Sequence, residues 1–396
     1  MSAMKRLFQV MAEKKASDIF LSVGAPINIK INGVAIPVNQ TVLNADAVRT
    51  LLYEVLTERQ IKEYEDEWEL NTAYALEGVG AFRISAFRQK GSPAVVVRFI
   101  PGNVPAFGTL GLPDVLKEII MQKRGLILMV GATGSGKSTS LSAMLDLRNE
   151  QKSGHILTLE DPVEFIFKNK KSIVNQREVG TDTKSFETAL KNALRQAPDC
   201  ILIGEIRDKQ TMGMALAYAQ SGHLALATLH ANNSYHAMNR IISFYPLENR
   251  PTLLLDLSAA LQAVVSQRLV RTKTGARRAA VEVLLNTRHI SELIEKGDIN
   301  EIKDAMEKSM APGSQTFEQS LFNMFMDGSI TQEECMVNAD SATNMLWLIN
   351  QATAGSISSG QVATPPPGEK RDEKAESPLS STGGASFSDF KIDSTA

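Results

Sequence analysis

The sequence predicts an α/β fold: a core built on a parallel sheet, a small α+β domain ahead of it and a polar tail behind. Three observations carry that reading. Residues 126–130 (LILMV) form an apolar run that ends abruptly in the glycine-rich stretch GATGSGKST at 131–139. Two further apolar runs, HILTL at 155–159 and CILI at 200–203, are each followed closely by acidic residues. Before them, the isoleucines of INIKI at 27–31 alternate with polar residues, the period of a half-buried strand. Short apolar runs separated by helical stretches are what parallel strands buried on both faces require.

Composition narrows the class. At 396 residues, with 43% hydrophobic and 22% charged, the chain can bury two or three ordinary cores. A net charge of -2 without a dense Lys/Arg block argues against nucleic-acid binding. No apolar run approaches the roughly 20 residues of a membrane span, and MSAMKRLFQVMAEKK is too briefly apolar for a signal peptide. Both point to the cytoplasm. Cys200 and Cys335 form no CxxC pair, so neither a disulfide framework nor a zinc site is expected.

In chain order, Leu7, Val10 and Met11 fall at helical spacing within residues 5–15. Asn32-Gly33 is a favoured tight-turn dipeptide between the strand at 27–31 and VAI at 34–36. Residues 44–70 carry Leu51, Leu52, Val55, Leu56 and Ile61 among charges and read as one or two helices, and strands follow at 81–88 and 94–100. Residues 1–100 are therefore a small α+β domain. Arg83, Arg88 and Arg98 stand on its last two strands. They are either a solvated face or a source of positive charge for a phosphate bound elsewhere. The stretch PGNVPAFGTLGLP at 101–113 holds three prolines and three glycines and reads as a hinge between domains.

In 131–139 the spacing is Gly131, four residues, then Gly136-Lys137-Ser138. Glycines let a loop turn tightly and aim N–H groups at phosphate oxygens, at the positive end of the helix that starts near Lys137. Lys137 would reach the β and γ phosphates, and the Ser138 hydroxyl would hold Mg²⁺, a hard ion that prefers oxygen. Glu160-Asp161-Pro162-Val163-Glu164 ends the strand at 155–159, where ligands bind in open α/β sheets. A helix at 183–196 precedes the strand that ends at Gly204-Glu205, followed by Ile206-Arg207-Asp208. Glu205 suits either a water-orienting base or a metal ligand. Residues 209–221 read as helix and 223–230 (HLALATLH) as a strand, with His230 at its carboxyl end near the expected γ phosphate and His223 in a core or capping role at its start. From 248 to 347 the pattern is mostly helical, strongly apolar at 253–265, with one strand at 279–285 and a loop at 313–317. The last 40 or so residues, with three consecutive prolines, a charged run and Ser/Gly-rich sequence, cannot bury a core and should be disordered. Phe387 and Phe390 lie there as a candidate docking motif.

These motifs together resemble the PilT/PilU retraction ATPases of bacterial type IV pili, in the secretion-ATPase superfamily. The resemblance covers residues 1 to about 350 and rests on SDIFLSVGAPINIKINGVAIPV at 17–38, GATGSGKST, LTLEDPVEF at 157–165, ILIGEIRD at 201–208 and SGHLALATLH at 221–230. It implies a RecA-like P-loop core at 114–352 behind a PAS-like domain at 1–100, with a disordered tail at 353–396. It further implies ATP and Mg²⁺ as ligands. Gly131, Thr133, Gly134, Ser135, Gly136, Lys137, Ser138 and Thr139 would cradle the phosphates, and Ser138 and Glu205 would hold the metal. Glu205 would activate water, Glu160 and Glu164 would support metal and water, and His230 would sense the γ phosphate. Arg83 and Arg98 are similar to arginines that close on the nucleotide from the amino-terminal domain. The implied assembly is a homo-hexamer at the cytoplasmic side of the inner membrane, working on a pilus platform protein and with a PilT-like partner ATPase. The chain lacks the tetracysteine zinc module of extension and secretion members. The stretches at 286–306 and 313–321 are nearer the PilU branch. An ATP-binding scaffold with little hydrolysis, or a secretion or conjugation ATPase, are the competing readings.

Overall fold

The first hundred residues build an antiparallel sheet with helices on one face. The structure, a computed structural model, describes residues 2–31, 33–100, 104–309 and 311–357. In order come α1 (Ala3–Glu13), β1 (Asp18–Ser22), β2 (Pro26–Ile31), β3 (Val34–Val42), α2 (Ala45–Tyr53), α3 (Glu58–Glu67), β4 (Glu69–Leu76), β5 (Gly80–Gln89) and β6 (Ser92–Ile100). The six strands lie in the order β3-β2-β1-β6-β5-β4. In α1 the buried stripe is Met4, Phe8 and Met11, while Leu7 and Val10 are half-buried, so the inward face is turned from the expected one. Phe8 stacks on Phe82 with centroids 4.0 Å apart, tying helix to sheet. Asn32 of the expected turn lies outside the described residues; Gly33 adopts φ +86°, the left-handed region glycine tolerates.

The second sheet carries the site. Its elements are α4 (Val115–Ile120), β7 (Gly125–Val130), α5 (Lys137–Gln151), β8 (Gly154–Glu160), β9 (Ser172–Glu178), α6 (Phe186–Ala193), β10 (Cys200–Ile203), α7 (Lys209–Gln220), β11 (Leu224–Leu229), α8 (Ser234–Ser243), α9 (Arg250–Ala260), β12 (Leu261–Arg271) and β13 (Arg277–Leu285). Helices α10 (Arg288–Lys296), α11 (Ile302–Glu307), α12 (Phe317–Met326), α13 (Gln332–Asn338) and α14 (Ala342–Ile357) follow. Strand order is β13-β12-β7-β11-β10-β8-β9, parallel throughout except β12 against β13. Every residue of β7 is buried. Leu126, Leu128 and Val130 face one core, Ile127 and Met129 the other, which is why the run is apolar without a period.

Four further expectations change. The helix expected at 183–196 is α6 alone, because the Ser185 side chain caps its start, and residues 194–196 tighten into a 3₁₀ turn. The apolar stretch at 253–265, expected within a helical region, splits at Leu261 into α9 and β12. β12 pairs with the edge of β7 that β11 leaves open, and this pairing overrides local preference. The second half of the expected hinge is not free, since Phe107 and Leu112 are buried with Leu116, Leu141 and Met144. Prolines and glycines there mark irregular backbone, not exposure; residues 101–103 lie outside the description. At the carboxyl end α14 continues to Ile357, past the expected start of the tail, and residues 358–396, with Phe387 and Phe390, lie outside the described residues.

Glu282 of β13 is an ionisable group in the core. It is 3% exposed, and its Oε1 accepts from the Ser234 backbone N at 2.7 Å and from Ser266 Oγ at 3.0 Å. Burial pushes its carboxyl above the usual glutamate range, against the pull of these hydrogen bonds. The protonated form is the one the fold favours. Its stabilisation is therefore full below the unfolded pKa of about 4.3 and is lost as pH rises through the higher folded value. Glu282→Gln keeps an acceptor and cannot titrate. Urea unfolding of both proteins should show the wild type losing ground to the variant with rising pH, by about 1.4 kcal/mol per unit until the folded pKa is passed. A difference that does not vary with pH would show that the carboxyl is unperturbed.

Candidate nucleotide-binding site

Parallel register brings the functional residues together. Val130 pairs with Leu229, Ala227 with Ile203 and Ile203 with Leu159, so β7, β11, β10 and β8 all end at one edge of the sheet. The glycine loop leaves β7 there. Gly134 and Gly136 sit at φ +79° and +87°. A Cβ on Gly131 would lie 2.6 Å from the Gln267 carbonyl oxygen, and one on Gly136 would lie 2.7 Å from Gln267 Nε2. β12 thus walls the loop so closely that no side chain fits at Gly131, and one at Gly136 would push the Gln267 amide aside. Helix α5 starts at Lys137 with no side-chain cap, which leaves its first N–H groups to an anion. The Ser135 hydroxyl is buried and has no hydrogen-bond partner among the described residues.

Lys137 is 8% exposed, and its Nζ donates to the carbonyls of Gly131 at 2.7 Å and Ala132 at 2.9 Å. Burial pulls its ammonium below the ordinary value, while Glu205 and Glu164 oppose the shift. A cation held out of water beside two carboxylates is poised for an anionic ligand. The cavity beside it, about 420 Å³, is lined by Lys137, Ser138, Glu160, Glu164, Glu205 and His230, with Thr133 and Gly134 at the loop. Gly136 and Thr139 face a second cavity of about 420 Å³, whose wall includes Leu110, Leu269 and Arg278.

Glu205 is held by Arg207 and flanked by His230. Arg207 Nε donates to its Oε2 at 2.7 Å, and His230 Nε2 lies 3.5 Å from its Oε1. Arg207 also reaches Asp161 at 3.6 Å, bridging the ends of β10 and β8. Gly204 makes the approach possible, since a Cβ there would lie 2.9 Å from the Leu159 carbonyl oxygen. Glu160 Oε1 accepts from Thr158 Oγ1 at 2.7 Å and Gln176 Nε2 at 3.3 Å. Burial raises its carboxyl above the ordinary range, and these hydrogen bonds resist the rise. His223, at the far end of β11, lies 3.0 Å through Nδ1 from Ser221 Oγ and so closes the end of α7.

Arg83 and Arg98 are not among the residues lining either cavity. They sit directly opposite each other on β5 and β6. Arg98 Nε donates to Asp18 Oδ1 at 2.9 Å, while Arg83 Nε is buried without a partner among the described residues. Sequence reasoning gave no role to two residues that shape the site, Arg207 and Gln267, and read Asp161 only as one of the strand-end acids. Arg207 was signalled only by standing two residues beyond the strand-end acid. Gln267 gave no signal, because its strand reads as helix.

A glycine loop at a helix start, a buried lysine and carboxylates gathered at parallel strand ends define a P-loop nucleotide-binding protein. The family model for "Type II/IV secretion system protein" matches residues 2–337, and the chain belongs to that family. It is 46% identical over 346 residues to the type IV pilus ATPase PilU of Pseudomonas aeruginosa, covering 87% of this chain and 91% of that protein. The type IV pilus retraction ATPase PilT of the same organism is 38% identical over 338 residues, covering 85% and 98%. The crystal structure of the pilus retraction motor PilT with bound ADP aligns with a TM-score of 0.81 at 38% identity, covering 87% of this chain and 98% of that one. The chain is thus a member of the PilT/PilU group of type IV pilus ATPases, with their α/β core behind an amino-terminal sheet domain.

The close wall behind the loop gives a test. Gly136→Ala introduces a Cβ 2.7 Å from Gln267 Nε2, whereas Gly180→Ala, at the same φ of +87°, meets open space. Each pays about 1–2 kcal/mol of left-handed strain, but only the first pushes Gln267 Nε2 off the Ser135 carbonyl that it holds. Titration with a fluorescent ATP analogue should show binding lost in Gly136→Ala and retained in Gly180→Ala. Equal binding by the two would show that Gln267 does not shape the loop.

Proposed function

We propose that this protein hydrolyses Mg-ATP and, as a homo-hexamer, turns that hydrolysis into retraction of a type IV pilus. The observation that carries the reading is Glu205, held between Arg207 and His230 on the edge of the cavity that Lys137 and Ser138 also line. A carboxylate so fixed is a base with one direction in which to act. The relatives named for pilus ATPase and retraction activity supply the biological end of the reaction.

The residues present fit Mg²⁺. The Ser138 hydroxyl and the Glu205 carboxylate line one cavity with Lys137, and oxygen donors of this kind suit a hard ion held otherwise by phosphates and water. Ser138 and Glu205 would hold it, and it would neutralise charge on the β and γ phosphates. Lys137 Nζ exchanges the carbonyls of Gly131 and Ala132 for phosphate oxygens. The N–H groups of 133–139 and the Ser135 hydroxyl complete the cradle. Glu205 takes a proton from water as the water oxygen bonds to the γ phosphorus. The bond to the bridging oxygen breaks, leaving ADP and inorganic phosphate. Glu160 and Glu164 orient the water, and His230, in contact with Glu205, registers the γ phosphate. The base occupies the second cavity, where Leu269 and Arg278 offer an apolar wall and a cation for its ring.

Arg83 and Arg98 complete the site from the amino-terminal sheet. Like charges directly opposite on adjacent strands destabilise a sheet unless an anion compensates, and Asp18 answers only one of the pair. Arginine brought to a developing phosphoryl charge raises rate by about 10³ to 10⁵, so closure would gate turnover. We place the protein in the cytoplasm, peripheral to the inner membrane at the pilus base, acting on a platform protein beside a PilT-like partner ATPase. No described helix is long and apolar enough to cross a membrane.

Purified Glu205→Gln and Lys137→Ala should each lower ATP turnover by roughly 10² or more, and strains carrying either should lose the retraction this protein supports. Equal, near-background turnover in wild type and both variants would remove the enzyme reading. Retraction surviving both substitutions would make the protein a scaffold for a partner motor.

A further inference from the structure

β12 holds the site from both faces. On one face Gln267 grips the glycine loop, donating from Nε2 to the Ser135 carbonyl at 2.8 Å and accepting from Ser140 Oγ at 2.7 Å. On the other, Arg268 reaches the loop that follows His230, while Ser266 donates to Glu282, which accepts from the Ser234 backbone N at the start of α8. Arg268 lies over the Phe317 ring, 3.9 Å from its centroid, and donates to the carbonyls of Asn232, at 3.1 Å, and Asn338 and to the Asp340 carboxylate. The other oxygen of Asp340 accepts from Asn233 Nδ2 at 2.7 Å. Asn233 in turn caps α8, its Oδ1 accepting from the His236 backbone N at 2.9 Å. The backbone just after His230 is therefore pinned to the turn between α13 and α14 by one guanidinium and one carboxylate, which are 22% and 15% exposed.

We propose that Arg268 and Asp340 are positioning residues for hydrolysis: they set His230 against Glu205 and link the nucleotide site to the carboxyl-terminal helices. This rests on the reading of Glu205 and His230 as parts of an ATPase site. The chemistry of the clamp is demanding. Asp340 uses both oxygens, one for Arg268 and one for Asn233, and only a carboxylate offers two acceptors in that shape. Arg268 serves three acceptors while stacked on an aromatic face, which the point charge of lysine cannot do. Neither side chain lines the nucleotide cavity, so losing the clamp should alter the chemical step and leave binding alone.

Steady-state kinetics and ADP titration separate the cases. In Asp340→Asn the amide keeps one acceptor and loses a partner in either orientation. We expect kcat to fall about tenfold while KM for ATP and the ADP Kd stay within about twofold. Arg268→Lys should behave in the same way, and Asp340→Glu, which keeps both acceptors, should recover at least half of the wild-type kcat. If one substitution prevents folding, judged by loss of a cooperative melt, the other still carries the test. Unchanged kcat in the folded variants overturns the proposal. So does a loss of ADP affinity in step with kcat, which would mark a purely structural role. A wild type with no turnover above Lys137→Ala would overturn the ATPase reading and the proposal with it, whereas normal wild-type turnover matched by Asp340→Asn overturns the proposal alone.

Discussion

Parallel pairing of β8, β10, β11 and β7 places four carboxyl ends on one edge of the sheet, and the chemistry of the molecule follows from that register. Glu160, Glu205, His230 and the glycine loop are far apart in sequence and meet because each leaves the end of a strand at the same level. The sheet also sets the electrostatics. Lys137 is buried against the carbonyls of Gly131 and Ala132, and its charge is balanced by Glu205 and Glu164. Removing the carboxylates would leave the buried Lys137 ammonium uncompensated, a costly arrangement in a low-dielectric site.

β12 extends this logic beyond the nucleotide. It is the strand that closes the second edge of β7, and alternation along it sends Gln267 to the phosphate loop while Ser266 and Arg268 face the other way. Glu282, directly opposite Ser266 on β13, secures the start of α8 by accepting from the Ser234 backbone. The loop after His230 is thus fastened by polar groups on three elements, β12, β13 and the turn after α13. Such networks confer a defined geometry only when every member is satisfied.

The parts legible in the sequence were those where a residue type is dictated by local geometry or by chemistry. Gly131 and Gly136 are glycines because the backbone passes within van der Waals distance of Gln267, and Lys137 and Ser138 follow at the spacing that a phosphate demands. Glu160 and Glu205 stood out as acids ending apolar runs. β12 was hidden because LLLDLSAALQAVV has no period that separates helix from strand, and the deciding contact is the open edge of β7, far away in the chain. The buried second half of the expected hinge was hidden for a related reason, since Phe107 and Leu112 find their cover on α4 and α5. Arg207 was given no role because its partner Asp161 comes beside it only when β8 and β10 pair.

Two roles are divided in this account: the glycine loop with Lys137 binds the phosphates, and Glu205 makes water attack them. Analysis of the nucleotide retained by the purified protein after incubation with Mg-ATP separates the roles directly. Wild type should retain ADP, Glu205→Gln should retain intact ATP, and Lys137→Ala should retain neither. ADP recovered from Glu205→Gln in the same yield as from the wild type would contradict the assignment of Glu205 as the base.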